Sequence, residues 1–346
     1  MSQFIQLHIL TSYAPSNLNR DDLGRPKTAK MGGFDRLRIS SQSLKRTWRV
    51  SELFEQALSG HIGIRTRELG NDAYEKMIAV GIKEKDAKAW ASKIANIFRK
   101  DQKKDVPAMD ALAFVSHEEY ASLQDIISTC CEIQNEPSDE NLHVLTEKTT
   151  SVDLAMFGRM LTGKNSDKSM DAACQVAHAI SVHSVVVEDD YFIAVDDLND
   201  GKEGTGSAHI GESGFAAALF YSNICINKTQ LIQNLDGNEE LANKAIQALT
   251  EAAVKVSPKG KQNCFASRAY ASYVLAEKGE QQPRTLSVAF LNPVTDVDQA
   301  SAAIEALTKQ VANFDSVYGA CADSRYAINA LTGEGSFAEL ADFVIQ

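Results

Sequence analysis

Hydrophobic residues alternate at the start of the chain. Ile5, Leu7 and Ile9 fall on one side and Gln6 and His8 on the other, which predicts a strand from Phe4 to Tyr13. A polar loop runs from Pro15 through Lys30 to Gly32-Gly33. Arg36-Leu37-Arg38-Ile39 alternates again and reads as a second strand. The period then changes. Ser40 or Ser41 is a fitting helix N-cap, Leu44 and Trp48 stand four apart, and Gly60 is a plausible C-cap, which predicts one helix to about residue 60.

Residues 61–150 have a helical texture, with predicted helices over 68–80, 83–100, 117–134 and 139–148 and a short strand at 112–115. Strand signals resume after it, so we read 61–150 as a helical insertion into a domain made of 1–60 and 151–346. In that second part, Val152–Met160 alternates like a strand, Met170–Ala179 reads as a helix and His183–Val187 as a strand. Residues 191–197 and 215–221 suit the two arms of a projecting hairpin around a glycine-rich tip, and the hairpin spans about 189–215. Residues 220–226 continue as strand, 238–256 as helix, 285–291 as strand and 297–314 as helix. The order suits an α+β sandwich of the ferredoxin-like kind.

Charge changes the picture. The chain has 35 Lys+Arg against 46 Asp+Glu, net −11. Residues 16–49 hold nine of the basic residues and three of the acidic ones, net +6, which leaves the remainder at −17. A compact positive patch in an acidic chain is the footprint of a polyanion site. Within it, the predicted helix start would combine free N–H groups with Ser40, Gln42, Lys45 and Arg49, a combination suited to phosphate. A second basic loop, Ser257-Pro258-Lys259-Gly260-Lys261-Gln262-Asn263, follows the 238–256 helix.

Catalytic signatures do not emerge. No phosphate-binding GK[ST] loop, nucleophile elbow or zinc-protease motif occurs. The six cysteines have no zinc spacing and read as reduced core residues. His178, in an alanine-rich stretch, reads as a core histidine. His8, the candidate for an RNA-processing enzyme, reads as structural on its alternating strand. Asp21-Asp22 could orient Arg20, and Asp196-Asp197 could cap the hairpin base. We therefore expect no catalytic residue, no metal and no cofactor. No apolar run approaches a membrane span and no signal peptide is evident, so a cytoplasmic protein is expected. Aromatic residues are 7% of the chain, so the patch should grip backbone rather than stack bases.

Longer strings give a resemblance. F-I-Q-L-H-I-L at the start, S-x-L-N-R-D-D, and above all R-I-S-S-Q-S-L-K-R at 38–46 resemble the Cas seven family, and most closely its type I-E branch, CasC. V-D-L-A-M-F-G-R-M at 152–160, A-H-A-I at 177–180, A-V-D-D-L at 194–198 and G-S-A-H-I-G at 206–211 support it. The resemblance implies the backbone subunit of Cascade, a ribonucleoprotein complex of antiviral defence. It implies a modified RRM-like palm, fingers formed by the helical insertion, and a hairpin thumb. Such subunits polymerise along one CRISPR RNA, kink it at regular intervals and present it to target DNA. The implied partners are CRISPR RNA, target DNA by way of that RNA, neighbouring copies, and the large, small, 5′-end and 3′-end RAMP subunits.

By position, the implied RNA contacts are Arg20, Lys27, Ser40, Gln42, Lys45, Arg46 and Arg49, with Arg159, His209, Lys259, Lys261 and Gln262. Arg159 reads equally well as a buried ion-pair partner, and His209 as a turn residue. Type III relatives cleave target RNA with an aspartate near the position of Asp35, which makes a ribonuclease the alternative function.

Overall fold

The structure is a computed structural model and describes residues 2–98, 109, 112–161, 163–194 and 209–346. The chain opens with β1 (Phe4–Ser16), the hairpin β2 (Thr28–Met31) and β3 (Phe34–Ile39), and the helices α1 (Ser41–Arg49) and α2 (Glu52–Ala57). Then come β4 (Ile64–Thr66), α3 (Leu69–Ala79), α4 (Glu84–Ala95), β5 (Ala113–Val115) and α5 (His117–Ile133). The chain continues through α6 (Val152–Phe157), β6 (Cys174–Val176), β7 (Ala179–Ser181), β8 (Glu188–Ala194) and β9 (His209–Asn227). It ends with α7 (Lys228–Asn234), α8 (Glu239–Lys255), α9 (Gln262–Phe265), β10 (Tyr273–Gly279), α10 (Gln299–Tyr318), β11 (Ser324–Asn329) and α11 (Phe337–Phe343).

The main sheet is antiparallel, in the order β11-β10-β1-β9-β7-β3-β2. Its central strands β10, β1, β9 and β7 have helices after the first and third in sequence, a split β-α-β connectivity. Alternation in β1 sorts two buried faces. Ile5, Leu7 and Ile9 pack into the large core with Leu44, Trp48 and α8. Leu10 packs on the other face, with Tyr221, Phe290 and Leu307 of α10. A separate core joins α3, α4 and α5 through Met77, Ile94, Leu123 and Ile127.

The structure corrects several expected elements. The helix after Ser41 is two helices, because Ser51 is extended (φ −82°, ψ 144°) and caps a new start, its Oγ accepting from the Phe54 N–H. Residues 152–157 are helix, not strand: α6 is buried around its whole circumference, so alternation carried no information about its period. Residues 170–179 form β6 and the start of β7 rather than a helix, because small residues there (Ala173, Cys174, Ala179) fit beneath the helical layer. Residues 139–148 form turns, with the Thr146 N–H held by the Glu119 carboxylate. Residues 183–187 are a connection. Residues 287–290 are a short 3₁₀ turn, pinned by the buried Arg36 guanidinium, which donates to the Ser181 and Phe290 carbonyls at 3.1 and 2.8 Å.

Four strands were not anticipated: the short β2 and β4, and β10 and β11 of the main sheet. Glu277 and Lys278 break the apolar pattern of β10, yet Glu277 is fully buried. Its carboxylate accepts from Arg284 at 2.6 and 3.0 Å, from Arg325 Nε at 2.7 Å and from His8 Nε2 at 3.1 Å. The Leu286 N–H donates to the Tyr221 hydroxyl, which in turn donates to His8 Nδ1 at 2.9 Å. With the ring buried, these contacts suit a neutral imidazole whose proton is on Nε2, facing the Glu277 carboxylate. Burial holds its pKa below the ordinary 6.5, while the three donors hold the Glu277 carboxyl far below the carboxylate range.

Both depressed groups favour the deprotonated form on folding, so stability is fully present above pH 6.5 and falls as pH drops. The expected loss from His8 is up to about 1.4 kcal/mol per pH unit below 6.5, until the folded imidazole titrates. Urea unfolding at pH 7 and pH 5 should show this decline, and His8→Gln should flatten it.

Candidate nucleic-acid interface

Three separate stretches build the interface. The first is the loop between β1 and β2. Asn17 is buried and its amide donates to the Gly24 and Gly214 carbonyls at 3.0 and 2.9 Å. Asp21 accepts from the Leu23 and Arg25 N–H groups at 3.0 and 2.9 Å. Asp21 thus shapes the turn rather than orienting Arg20, whose side chain is exposed. Asn19 Oδ1 accepts from the Ser40 N–H at 2.8 Å and ties this loop to α1.

The second stretch is α1. Ser40 caps it by accepting from the Ser43 N–H at 3.3 Å. Leu44 and Trp48 face the core, 4% and 2% exposed, which turns Gln42 and Arg46 to solvent. Lys45 is half-buried, with Nζ 5.4 Å from the Phe157 ring centroid. The free N–H groups expected at this terminus are mostly taken. The Ser41 N–H donates to His178 Nδ1 and the Leu44 N–H to the Ser40 carbonyl, which leaves the Gln42 N–H unpaired among the described residues.

The third stretch is the basic loop before α9. Gly260 lies so close to the first loop that a Cβ there would sit 2.2 Å from the Leu18 carbonyl oxygen. This contact brings Lys259 beside Arg20 and Arg46, and the three line one open depression. Lys259 also borders an adjoining depression with Arg268 and Tyr270. Neither of the last two was singled out from sequence, although Tyr270, 70% exposed, is an aromatic next to a basic loop. Gly260→Val should pry the loops apart and withdraw Lys259. If this surface carries a nucleic acid, losing that one charge-assisted contact should lower its affinity about tenfold, measurable by fluorescence anisotropy.

The β8–β9 hairpin rises from the same place. Its register runs from Glu188 opposite Phe215 to Ala194 opposite His209, so His209 lies at the outer end of the described arms. Its tip, including Asp196-Asp197, lies outside the described residues. Both basic loops clasp its base. Arg25 pairs with Asp189 at 3.0 Å, Lys261 Nζ donates to Ser213 Oγ, and Phe215 lies 6.1 Å from Phe265. Gln262 accepts from the Ser267 hydroxyl at 3.1 Å, and Lys27 is half-buried, its own N–H donating to the Asn19 carbonyl.

Two predicted contacts turn inward, and the structure corrects them. Arg49 is 9% exposed: its Nε donates to the buried Asp153 carboxylate and its terminal nitrogen to the Gly63 carbonyl at 2.7 Å. It joins α1 to α6. Arg159 is 7% exposed and forks onto Glu119 at 2.6 and 2.9 Å, with a further bond to the Phe114 carbonyl at 3.0 Å. It joins the chain after α6 to α5. His178 is likewise not in a core helix; it is exposed between β6 and β7. His8 is fully buried and out of reach of a substrate. Asp35 is exposed on β3 opposite Lys30, and no group of three His, Cys, Asp or Glu side chains placed to hold a metal occurs among the described residues. The cysteines are free, and no helix among the described residues is long and apolar enough to cross a membrane.

An open, basic, multi-loop surface of this kind suits the backbone of a nucleic acid. Residues 5–342 match the model of the CT1975-like protein family, and the chain belongs to that family. No curated protein matches the chain. Among solved structures, it is similar to a chain of a "CRISPR RNA-guided surveillance complex, pre-nicking", at 27% identity and TM-score 0.81, with 99% of each chain covered. A chain of a second "CRISPR RNA-guided surveillance complex" shares the fold at 22% identity and TM-score 0.72, again over 99% of each chain. Family and fold together make this a protein of the Cas seven type.

Proposed function

We propose that this protein is a CRISPR RNA-binding backbone subunit of a surveillance complex of the type I-E Cascade kind, resembling CasC. The carrying observation is the meeting of Arg20, Arg46 and Lys259, from three distant stretches, in one open depression at the foot of the hairpin. In this reading the split β-α-β sheet is an RRM-like palm, the α3–α5 region the fingers, and the β8–β9 hairpin the thumb. Copies assemble along one CRISPR RNA and hold it by its phosphates, so that guide sequence is read by pairing with target DNA. Lys27, Ser40, Gln42, Lys45, Lys261, Gln262 and His209 complete the proposed contact surface. Neighbouring copies and the other Cascade subunits are its partners.

The chain catalyses no reaction in this proposal. Titration with single-stranded RNA of fixed length should give affinity that falls steeply with salt, as counterion release requires. Incubating the loaded protein with complementary RNA and Mg²⁺ should leave that RNA intact. Cleavage that Asp35→Asn abolishes would replace this reading with a ribonuclease.

A further inference from the structure

The A-H-A-I segment at 177–180 touches the surface described above only through His178, and it borders a second feature. A recess of about 250 Å³ opens on the sheet face opposite α1, lined by Met31, Ile180, Tyr221 and Phe290, with His178, Thr285 and Ser287 as polar neighbours. This is smaller than the roughly 300–1,000 Å³ of a drug-sized pocket and suits a single heterocycle. Its position is set by pairing: β7 lies beside β3, Ile39 opposite Ala179, which puts His178 at the start of α1.

His178 belongs to both sites. Its Nδ1 accepts the Ser41 N–H at 2.8 Å, and its ring lines the recess. Accepting at Nδ1 puts the proton of the neutral imidazole on Nε2, and Nε2 has no partner among the described residues. Burial and the nearby Arg38 and Lys27 charges both disfavour the cation. The Nε2 donor of His178 therefore stands at a largely apolar recess, beside the Ser287 and Thr285 hydroxyls and next to the start of α1.

We propose that this recess receives a nucleobase of the bound RNA, with His178 Nε2–H donating to an acceptor on the base edge. The proposal rests on the RNA-binding reading and adds a base site to its phosphate site. Every nucleobase presents a ring nitrogen or carbonyl acceptor for the His178 donor, and the Ser287 and Thr285 hydroxyls at the rim can donate or accept, so the recess takes any base. That tolerance is what a guide of arbitrary sequence requires. A neighbouring copy's apolar side chain would leave the Nε2–H unpaired, which is why the base is favoured.

The test uses the assembled RNA–protein particle, carrying 4-thiouridine at successive single positions, with irradiation and peptide mapping. Cross-links should recur at a fixed nucleotide interval and fall on peptides containing Met31, His178 or Ser287. Two variants give an independent readout. His178→Asn keeps an acceptor for the Ser41 N–H and removes the outward donor, and Ser287→Phe fills the recess. Both should assemble to the same particle mass and lower RNA affinity about tenfold. Assembly with cross-links only elsewhere and unchanged affinity in both variants would overturn the base site while leaving the phosphate site standing. A neighbouring copy cross-linked into the recess would overturn it too. If the wild-type chain takes up no RNA, both readings fall together.

Discussion

Arg20→Glu, Arg46→Glu and Lys259→Glu combined should abolish most RNA binding without unfolding the protein. All three side chains are exposed and line one depression. Exposed substitutions of this kind usually change stability by no more than about 0.5 kcal/mol each. Three phosphate contacts worth about 1 kcal/mol apiece predict at least a hundredfold loss of affinity, before the repulsion of three new negative charges is counted. The slope of log affinity against log salt should fall in magnitude by about 2, from roughly 0.7 per contact on a single strand. Reversing Lys85, Lys244 and Lys309, three exposed lysines outside the interface, is the control and should change the slope little. Equal losses in both triples would mean that net charge, not this depression, holds the RNA.

Arg159→Ala should do the reverse, with a large cost in stability. Its partner Glu119 is 1% exposed, and the arginine supplies its only cationic contacts among the described residues, at 2.6 and 2.9 Å, beside the Ser116 and Thr146 N–H groups at 2.9 and 3.2 Å. Removing one partner of a buried pair leaves an uncompensated charge and costs about 3–5 kcal/mol. A drop in Tm of roughly 10 °C follows for a domain of this size. The double variant Arg159→Met, Glu119→Gln should recover much of the loss, because both charges leave together. At temperatures where Arg159→Ala remains folded, RNA affinity should stay close to wild type. A variant of normal Tm and poor RNA binding would return Arg159 to the interface.

The two arginines show where sequence stops informing. Both sit in strings that resemble known RNA contacts, and both carry a charge. What decides their role is a carboxylate 104 residues away for Arg49 and 40 residues away for Arg159. Linear spacing says nothing about such partners. β1, α1 and α8 were legible because each has a periodic face, while the hairpin was placed correctly only in its first arm: residues 188–194 pair with 209–215, and 216–221, expected as the second arm, pair with β1 and β7 instead. α6 was not, because burial on every side erases periodicity. β10 was missed because Glu277 looks like a solvated charge until His8, Arg284 and Arg325 surround it.

The candidate site was legible in part. Positive charge concentrated in residues 16–49 pointed to a polyanion, and the 257–263 loop was noticed separately. That the two loops touch depends on Gly260 pressing against Leu18, a contact between residues 242 positions apart. The free helix N-terminus was overestimated, since His178 fills part of it from the turn between β6 and β7.

Co-expression with a CRISPR RNA and the other complex subunits, followed by purification and a mass determination of protein and nucleic acid together, tests the central claim most directly. A large particle holding RNA at a fixed number of nucleotides per copy is the predicted result. A monomer free of nucleic acid under those conditions would contradict it.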